Sequence, residues 1–302
     1  MRGWVLPVMR RRFPVAAAAA LLLIAGCGGS STVGPTPPPT PGEAVLVGAG
    51  DIALCSDLAP AEATAKLLDT IYATVFTAGD NVQGVGTIEE YRECFEPTWG
   101  RHKGHMQPAP GNHDYATAGG AAYFDYFSGL AGSPGASYYS YRLGSWHILA
   151  LDSNIAIGAG SPQLRWLARD LNEAQTECTL AYFHHPLFSS GPNGPTPAVQ
   201  DLWRVLHSYG VDVVVCGHDH LYERFRLQNP DGQLDSAGGI RQFVVGTGGA
   251  PLYQAVRPAA NSDVRASVHG VLKLTLRYGA YDWEFVPVAG QSFRDSGTGA
   301  CH

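Results

Sequence analysis

Five short segments gather side chains that could hold cations and move a proton: Gly50-Asp51, Gly79-Asp80-Asn81, Gly111-Asn112-His113-Asp114, His184-His185-Pro186 and Gly217-His218-Asp219-His220. Carboxylates, imidazoles and an amide oxygen form a donor set suited to first-row divalent metals. Two such cations held about 3.5 to 4 Å apart need a carboxylate that bridges them, with neutral donors that leave most of the pair's charge in place. The segments supply that mixture, so they point to Lewis-acid chemistry on an anionic substrate.

The segments differ in how much each says alone. A Gly-Asp after an apolar run is ordinarily a turn or a helix cap, so Asp51 and Asp80 gain meaning only from company. Gly111-Asn112-His113-Asp114 is more specific, because a turn uses Gly and Asn but has no need of the following pair. There the Asn112 oxygen is a candidate ligand, and Asp114 is expected to fix the tautomer and orientation of His113. An extended Gly217-His218-Asp219-His220 would point both imidazoles the same way and turn Asp219 toward a structural partner. Of His184 and His185 only one need be a ligand; His184 follows the apolar run, which leaves His185 to support the site or touch substrate. His102, His105, His147, His207, His269 and His302 lack such context and read as surface or packing residues. Gly246-Thr247-Gly248-Gly249 has no Lys and reads as a tight turn, not a phosphate loop.

Apolar runs rich in β-branched and aromatic residues must position these side chains. They cover 44–47, 74–77, 146–151, 179–183, 211–215, 242–245, 271–276 and 281–286, and their bounds in Gly, Asp and Pro mark them as buried strands. Leu164, Leu167, Ala168 and Leu171 fall at helical spacing, as do Val199, Leu202, Trp203 and Leu206. The second helix is expected to start at Thr196-Pro197 and stop at Gly210. Strands and helices alternate early and strands dominate late, which predicts an α/β fold: mixed β-sheets packed as a sandwich and flanked by helices. Asp51, Asp80, His184 and His218 each follow a strand-like run, so one rim of carboxyl ends would collect them.

The chain of 302 residues is 45% hydrophobic and 15% charged, enough for one large domain with a substantial core. Arg10, Arg11 and Arg12 precede an apolar run from Val15 to Ile24, the pattern of a secretory signal too short to be a permanent membrane span. Ala25-Gly26-Cys27 resembles a bacterial lipobox, so 1–26 is expected to be a lipoprotein signal peptide with Cys27 lipidated. Residues 27–42 carry that Cys and a Pro/Gly/Ser-rich tether, and 43–302 form the catalytic domain. The expected location is extracytoplasmic, at the membrane, with the lipid as the only anchor. Residues 1–26 hold four arginines and no acid, so cleavage there takes the net charge from -6 to near -10. So acidic a chain is no general nucleic-acid binder. Export permits disulfides; the expected pairs are Cys55 with Cys94 and Cys178 with Cys301, although the count alone leaves other pairings open. Cys216 lies in an apolar run and is expected to be a buried thiol.

The ordered set of motifs resembles the calcineurin-like metallophosphoesterase superfamily, and within it the bacterial relatives of purple acid phosphatases, from about Val45 to the C-terminus. The resemblance implies a four-layer α/β/β/α sandwich with a dinuclear centre of Mn, Fe or Zn at the strand ends. By position, Asp80 would bridge the metals, Asp51 and His220 would serve the first, and Asn112, His184 and His218 the second. His113 would be the histidine that contacts phosphate and assists the leaving group. Two departures stand out: Ala53 occupies the place of a second ligand histidine found in many members, and Gln83 the place of the tyrosine that colours purple enzymes. A weaker, exchangeable first metal is expected. The implied activity is phosphomonoester hydrolysis by a monomer, with a metal-bound hydroxide as nucleophile and a small phosphorylated substrate as partner. Phosphodiester or nucleotide hydrolysis on the same centre is the nearest alternative. An inactive lipid-anchored binding protein is the other.

Overall fold

The computed structural model describes residues 42–174 and 176–302. The expected signal peptide, Cys27 and the tether up to residue 41 lie outside the described residues. Thirteen strands build two sheets among the described residues. They are β1 (Ala44–Ala49), β2 (Thr74–Ala78), β3 (Met106–Ala109), β4 (Tyr139–Leu143), β5 (Trp146–Ala150), β6 (Thr179–Tyr182), β7 (Val213–Cys216), β8 (Tyr222–Phe225), β9 (Arg241–Val245), β10 (Ser262–Ala266), β11 (Gly270–Arg277), β12 (Ala280–Pro287) and β13 (Asp295–Ala300). One sheet has the order β13-β12-β11-β1-β2-β3, the other β10-β8-β9-β7-β6-β5-β4. In the first, β1, β2 and β3 run parallel; in the second, β5, β6, β7 and β9 do.

Both faces of the parallel strands are buried, as the near-continuous apolar runs require. On β6 and β7, Leu180, Tyr182, Val213 and Val215 enter the core between the sheets with Leu46, Phe76 and Trp146 from other strands. Their neighbours Ala181, Phe183, Val214 and Cys216 face the opposite way, into an outer core with Leu164, Leu167, Leu202 and Trp203. Those four belong to the helices Pro162–Ala174 and Gln200–Ser208. The other sheet is covered by the helices Ala59–Leu68 and Ala121–Tyr126, through Ala61, Ala65, Ala122 and Tyr123. The layers are therefore α/β/β/α. None of the described helices is long and apolar enough to cross a membrane.

The helix of Gln200–Ser208 departs from its expected start. Pro197–Val199 forms a single 3₁₀ turn before it, and Thr196 makes no side-chain cap bond. Gly210 does close it, with φ of +68°, a backbone state that costs glycine little. The disulfides are Cys55–Cys94 and Cys178–Cys301, and Cys216 is a buried thiol. The first ties the loop after Asp51 to the π-helical turn Tyr91–Phe95; the second ties the start of β6 to the end of β13.

Candidate metal centre

Five of the six candidate ligands stand two or three residues beyond the carboxyl end of a parallel strand, and His220 follows two residues after the last of them: Asp51 after β1, Asp80 after β2, Asn112 after β3, His184 after β6 and His218 after β7. The two sheets thus contribute to one rim. Asp51, Asp80 and His218 have φ of +60°, +50° and +72°, left-handed states that cost non-glycine residues roughly 1–3 kcal/mol each and persist only where the surroundings impose them. The surroundings here are tight. A Cβ on Gly111 would lie 2.1 Å from Asp80 Oδ1, and one on Gly217 would lie 2.5 Å from Asp51 Oδ2.

Two knots of electron-pair donors result. His184 is fully buried, and its Nδ1 lies 2.9 Å from Ala78 O, which places a hydrogen on Nδ1 and turns Nε2 toward the other candidate ligands. That Nε2 is 3.0 Å from Asn112 Oδ1, 3.2 Å from Asp80 Oδ2 and 3.2 Å from His218 Nδ1. In the second knot His220 Nδ1 is 2.9 Å from Pro251 O, so the opposite nitrogen faces Asp51 Oδ1, 3.2 Å away. Asp51 Oδ1 is buried without a hydrogen-bond partner. One ligand atom each from Asp51, Asp80 and His184 lies within 4.8 Å of the others, so the two knots adjoin. Carboxylate, amide and imidazole atoms crowded together in a buried place call for positive charge there, which a ring proton or a bound cation supplies. These residues fit a pair of divalent cations.

The titration behaviour expresses the same field. Burial opposes a charged His184, but the carboxylates of Asp80 and Asp51 override it and lift the imidazole to about 9. Burial and the neighbouring His184 push His218 down to about 4. Burial would raise Asp51, yet His220, with His184 and His218 behind it, holds its carboxyl below the ordinary range.

His113 lies beside the knots on the solvent side. Its N–H donates to Asp80 Oδ1 at 2.8 Å, and its Nε2 is 4.0 Å from Asp80 Oδ2. The ring is held by Gly84 O, 2.7 Å from Nδ1. Asp114 does not orient it, contrary to the sequence expectation. Adjacent side chains in the turn diverge, and Asp114 goes into the floor, where it accepts from Gly111 N at 2.8 Å, Asn81 N at 3.1 Å, Asn81 Nδ2 at 2.9 Å and Tyr91 Oη at 2.5 Å. Burial, with Asp80 nearby, raises its carboxyl to about 6. Asp114 pins the Asp80 and Asn112 loops together.

The Gly217–His220 segment also departs from the extended form. Asp219 N bonds Gly217 O at 2.9 Å and Leu221 N bonds Asp219 O at 2.7 Å, a run of tight turns. His218 therefore faces His184 while His220 faces Asp51. Asp219 turns away and accepts from Ser189 Oγ and, at 2.9 Å, from Asn193 N.

Neither departure from the family pattern is made good locally. Ala53 is fully buried in the apolar cluster with Val82 and Ala61, and Gln83 Nε2 lies 3.4 Å from Asp80 O. Gly246-Thr247-Gly248-Gly249 packs backbone to backbone against the Asp51 loop, with Gly248 N on Gly50 O at 2.9 Å and Ala250 N on Asp51 O at 2.8 Å. Sequence reasoning missed Gly84, Tyr91, Ser153, Pro251 and Tyr253. Two of these act through carbonyl oxygens, which no residue type announces, and Tyr253 stacks on His220 at 4.1 Å from a loop with no motif. His102, His147, His207 and His302 each pair with an aspartate away from the centre, as packing residues do.

A family model described as calcineurin-like phosphoesterase matches residues 50–222. The chain is 30% identical over 212 residues to purple acid phosphatase 15 of Arabidopsis thaliana, a match taking in 63% of this chain and 39% of that protein. It is 34% identical over 84 residues to tartrate-resistant acid phosphatase type 5 of Rattus norvegicus, covering 28% of this chain and 26% of that protein. It therefore spans well under half the length of these relatives. Among solved structures, a purple acid phosphatase from yellow lupin (Lupinus luteus) seeds shares the fold, with a TM-score of 0.72 at 19% identity over 85% of this chain and 53% of that one.

Proposed function

The chain belongs to the calcineurin-like phosphoesterase family, and on that premise we propose that it is a hydrolase of phosphate esters dependent on two divalent cations, with phosphomonoesters as its preferred substrates. The observation that carries the reading is the double knot of carboxylate, imidazole and amide donor atoms that meets around Asp80. Asp80 would serve both cations, Asp51 and His220 the first, and Asn112, His184 and His218 the second. Mn, Fe and Zn all suit this donor set. Such cations supply charge neutralisation for a phosphoryl group and an acidified water.

The chain's own residues would do the rest. With Nδ1 fixed by Gly84 O, the proton that His113 exchanges resides on Nε2, the nitrogen on the Asp80 side. There it would protonate or hydrogen-bond the leaving oxygen of an ester. Asp114, Asn81 and Tyr91 hold the floor still, so that the reacting groups keep their spacing.

We also propose that the protein is a bacterial lipoprotein acting as a monomer outside the cytoplasm, anchored through Cys27. The two disulfides support an oxidising compartment.

A metal-resolved screen of activity on monoesters, diesters and nucleotides tests the reading. Metal-dependent turnover fastest on monoesters is expected. Faster diester or nucleotide turnover would move the assignment to that class. Absence of any metal-dependent turnover would favour the binding protein, a reading that Ala53 and Gln83 support by leaving the first cation few donors.

A further inference from the structure

His185 is adjacent to a candidate ligand, and one of its ring nitrogens lies within 4.8 Å of ligand atoms of His184 and His218, so proximity alone does not separate a ligand from a substrate contact. Its ring centroid lies 4.5 Å from that of His218 and 4.9 Å from that of His184, and the side chain is only partly buried. The residue that governs it is Ser153, which carries no motif. Ser153 Oγ accepts the His185 backbone N–H at 3.1 Å and lies 2.8 Å from His185 Nδ1.

A hydroxyl has one proton to give. Among the described residues, His185 Nδ1 is the acceptor within reach of Ser153 Oγ. Donation from the serine to Nδ1 uses that proton and puts the ring proton on Nε2, the tautomer on which the proposal below stands. A nitrogen that carries a hydrogen has no lone pair for a cation. Nε2 has no partner among the described residues, which leaves an N–H donor beside the proposed dinuclear centre.

The serine is rigidly placed. Asp152 is clamped on both backbone groups by Gln163, with Asp152 N on Oε1 at 2.9 Å and Nε2 on Asp152 O at 2.7 Å. Asn154 Nδ2 reaches Pro110 O at 3.1 Å, joining this turn to the loop of Asn112 and His113. The histidine's orientation is thus fixed from the same frame that fixes the candidate ligands.

We propose that His185 is a substrate-binding residue, donating from Nε2 to a non-bridging oxygen of the phosphoryl group, and that Ser153 is its positioning residue. This rests on the phosphate-ester reading above and adds a contact beside His184 and His218 to the one assigned to His113. A donor of this kind grips phosphate before and during reaction alike, so it acts on KM more than on kcat.

The test uses the metal-loaded protein with inorganic phosphate as probe, and the metal-free protein for the tautomer. His185→Ala should keep its metal content while phosphate affinity falls and KM rises by roughly 10- to 100-fold, the range for a hydrogen bond to a charged group. Ser153→Ala should move the same two quantities in the same direction by less, and Ser153→Thr should restore them. Nitrogen-15 spectra of histidine-labelled protein should show His185 protonated at Nε2. Loss of metal in His185→Ala would make it a ligand and overturn the proposal, as would a ring protonated at Nδ1. Unchanged phosphate affinity and KM in His185→Ala would overturn it while leaving phosphate-ester hydrolysis standing. A wild-type protein that hydrolyses no phosphate ester would overturn the parent reading instead.

Discussion

Asp80 stands where two requirements meet. Its Oδ1 accepts the His113 backbone N–H at 2.8 Å, and its Oδ2 faces His184 Nε2 at 3.2 Å, within one cluster that also includes Asp51. Because one carboxylate would serve both cations, Asp80→Ala should lose both metals together; elemental analysis of the purified variant reads this, and a variant that keeps its full metal would remove Asp80 from the bridging role. His113 has a different environment. Its Nε2 stays 4.0 Å from Asp80 Oδ2, and the side chain is 39% exposed. His113→Ala should keep its metal while turnover falls by roughly 10² to 10⁴-fold, the usual contribution of a positioned acid or base. Parallel loss of metal and activity would make His113 a ligand.

At the scale of elements, the loops matter more than the strands they follow. Asp51, Asp80 and His218 are held left-handed by a mesh in which Ile52 N bonds Asp80 O at 2.9 Å and His218 N bonds Asp51 Oδ2 at 2.8 Å. The Cys55–Cys94 bond closes a span of 39 residues around that mesh and carries the turn that presents Tyr91 to Asp114. Replacing both cysteines by serine should cost about 2–4 kcal/mol of stability, seen in chemical denaturation. The first cation of the proposed pair, for which the described residues would offer Asp51, His220 and the shared Asp80, should then leave faster on dialysis than the second. Equal rates for the two metals in wild type and variant would show that the bridge does not brace the first site. The eight apolar runs in the sequence all became strands: burial on both faces leaves a continuous apolar pattern in the parallel strands, and β11 and β12 show alternation, with every second residue buried through most of their length. The five strands not foreseen had no such pattern: β3 contains Pro108, β4 and β10 are partly solvated edges, β8 carries Glu223 and Arg224, and β13 is Asp-Ser-Gly-Thr-Gly-Ala.

Across the whole molecule, the centre exists because two sheets end at the same rim. Cys178–Cys301 ties the seven-stranded sheet to the far end of the six-stranded one. The proposed lipid anchor rests on Cys27, which lies outside the described residues. Cys27→Ser should abolish labelling by a fatty-acid analogue in a bacterial host and release the protein from membranes; unchanged labelling would refute the lipobox. The sequence carried the donor types, their order, the buried strands and the α/β/β/α layering that the family resemblance implied, since residue chemistry and periodicity are local properties. Pairings across the sheets were decided only in three dimensions. Asp114 faces the floor and not His113, His218 and His220 part company at a left-handed turn, and Ser153 meets His185 from 32 residues away. Backbone carbonyls such as Gly84 O and Pro251 O fix the tautomers, and every residue type supplies a carbonyl, so only the folded chain selects which ones serve.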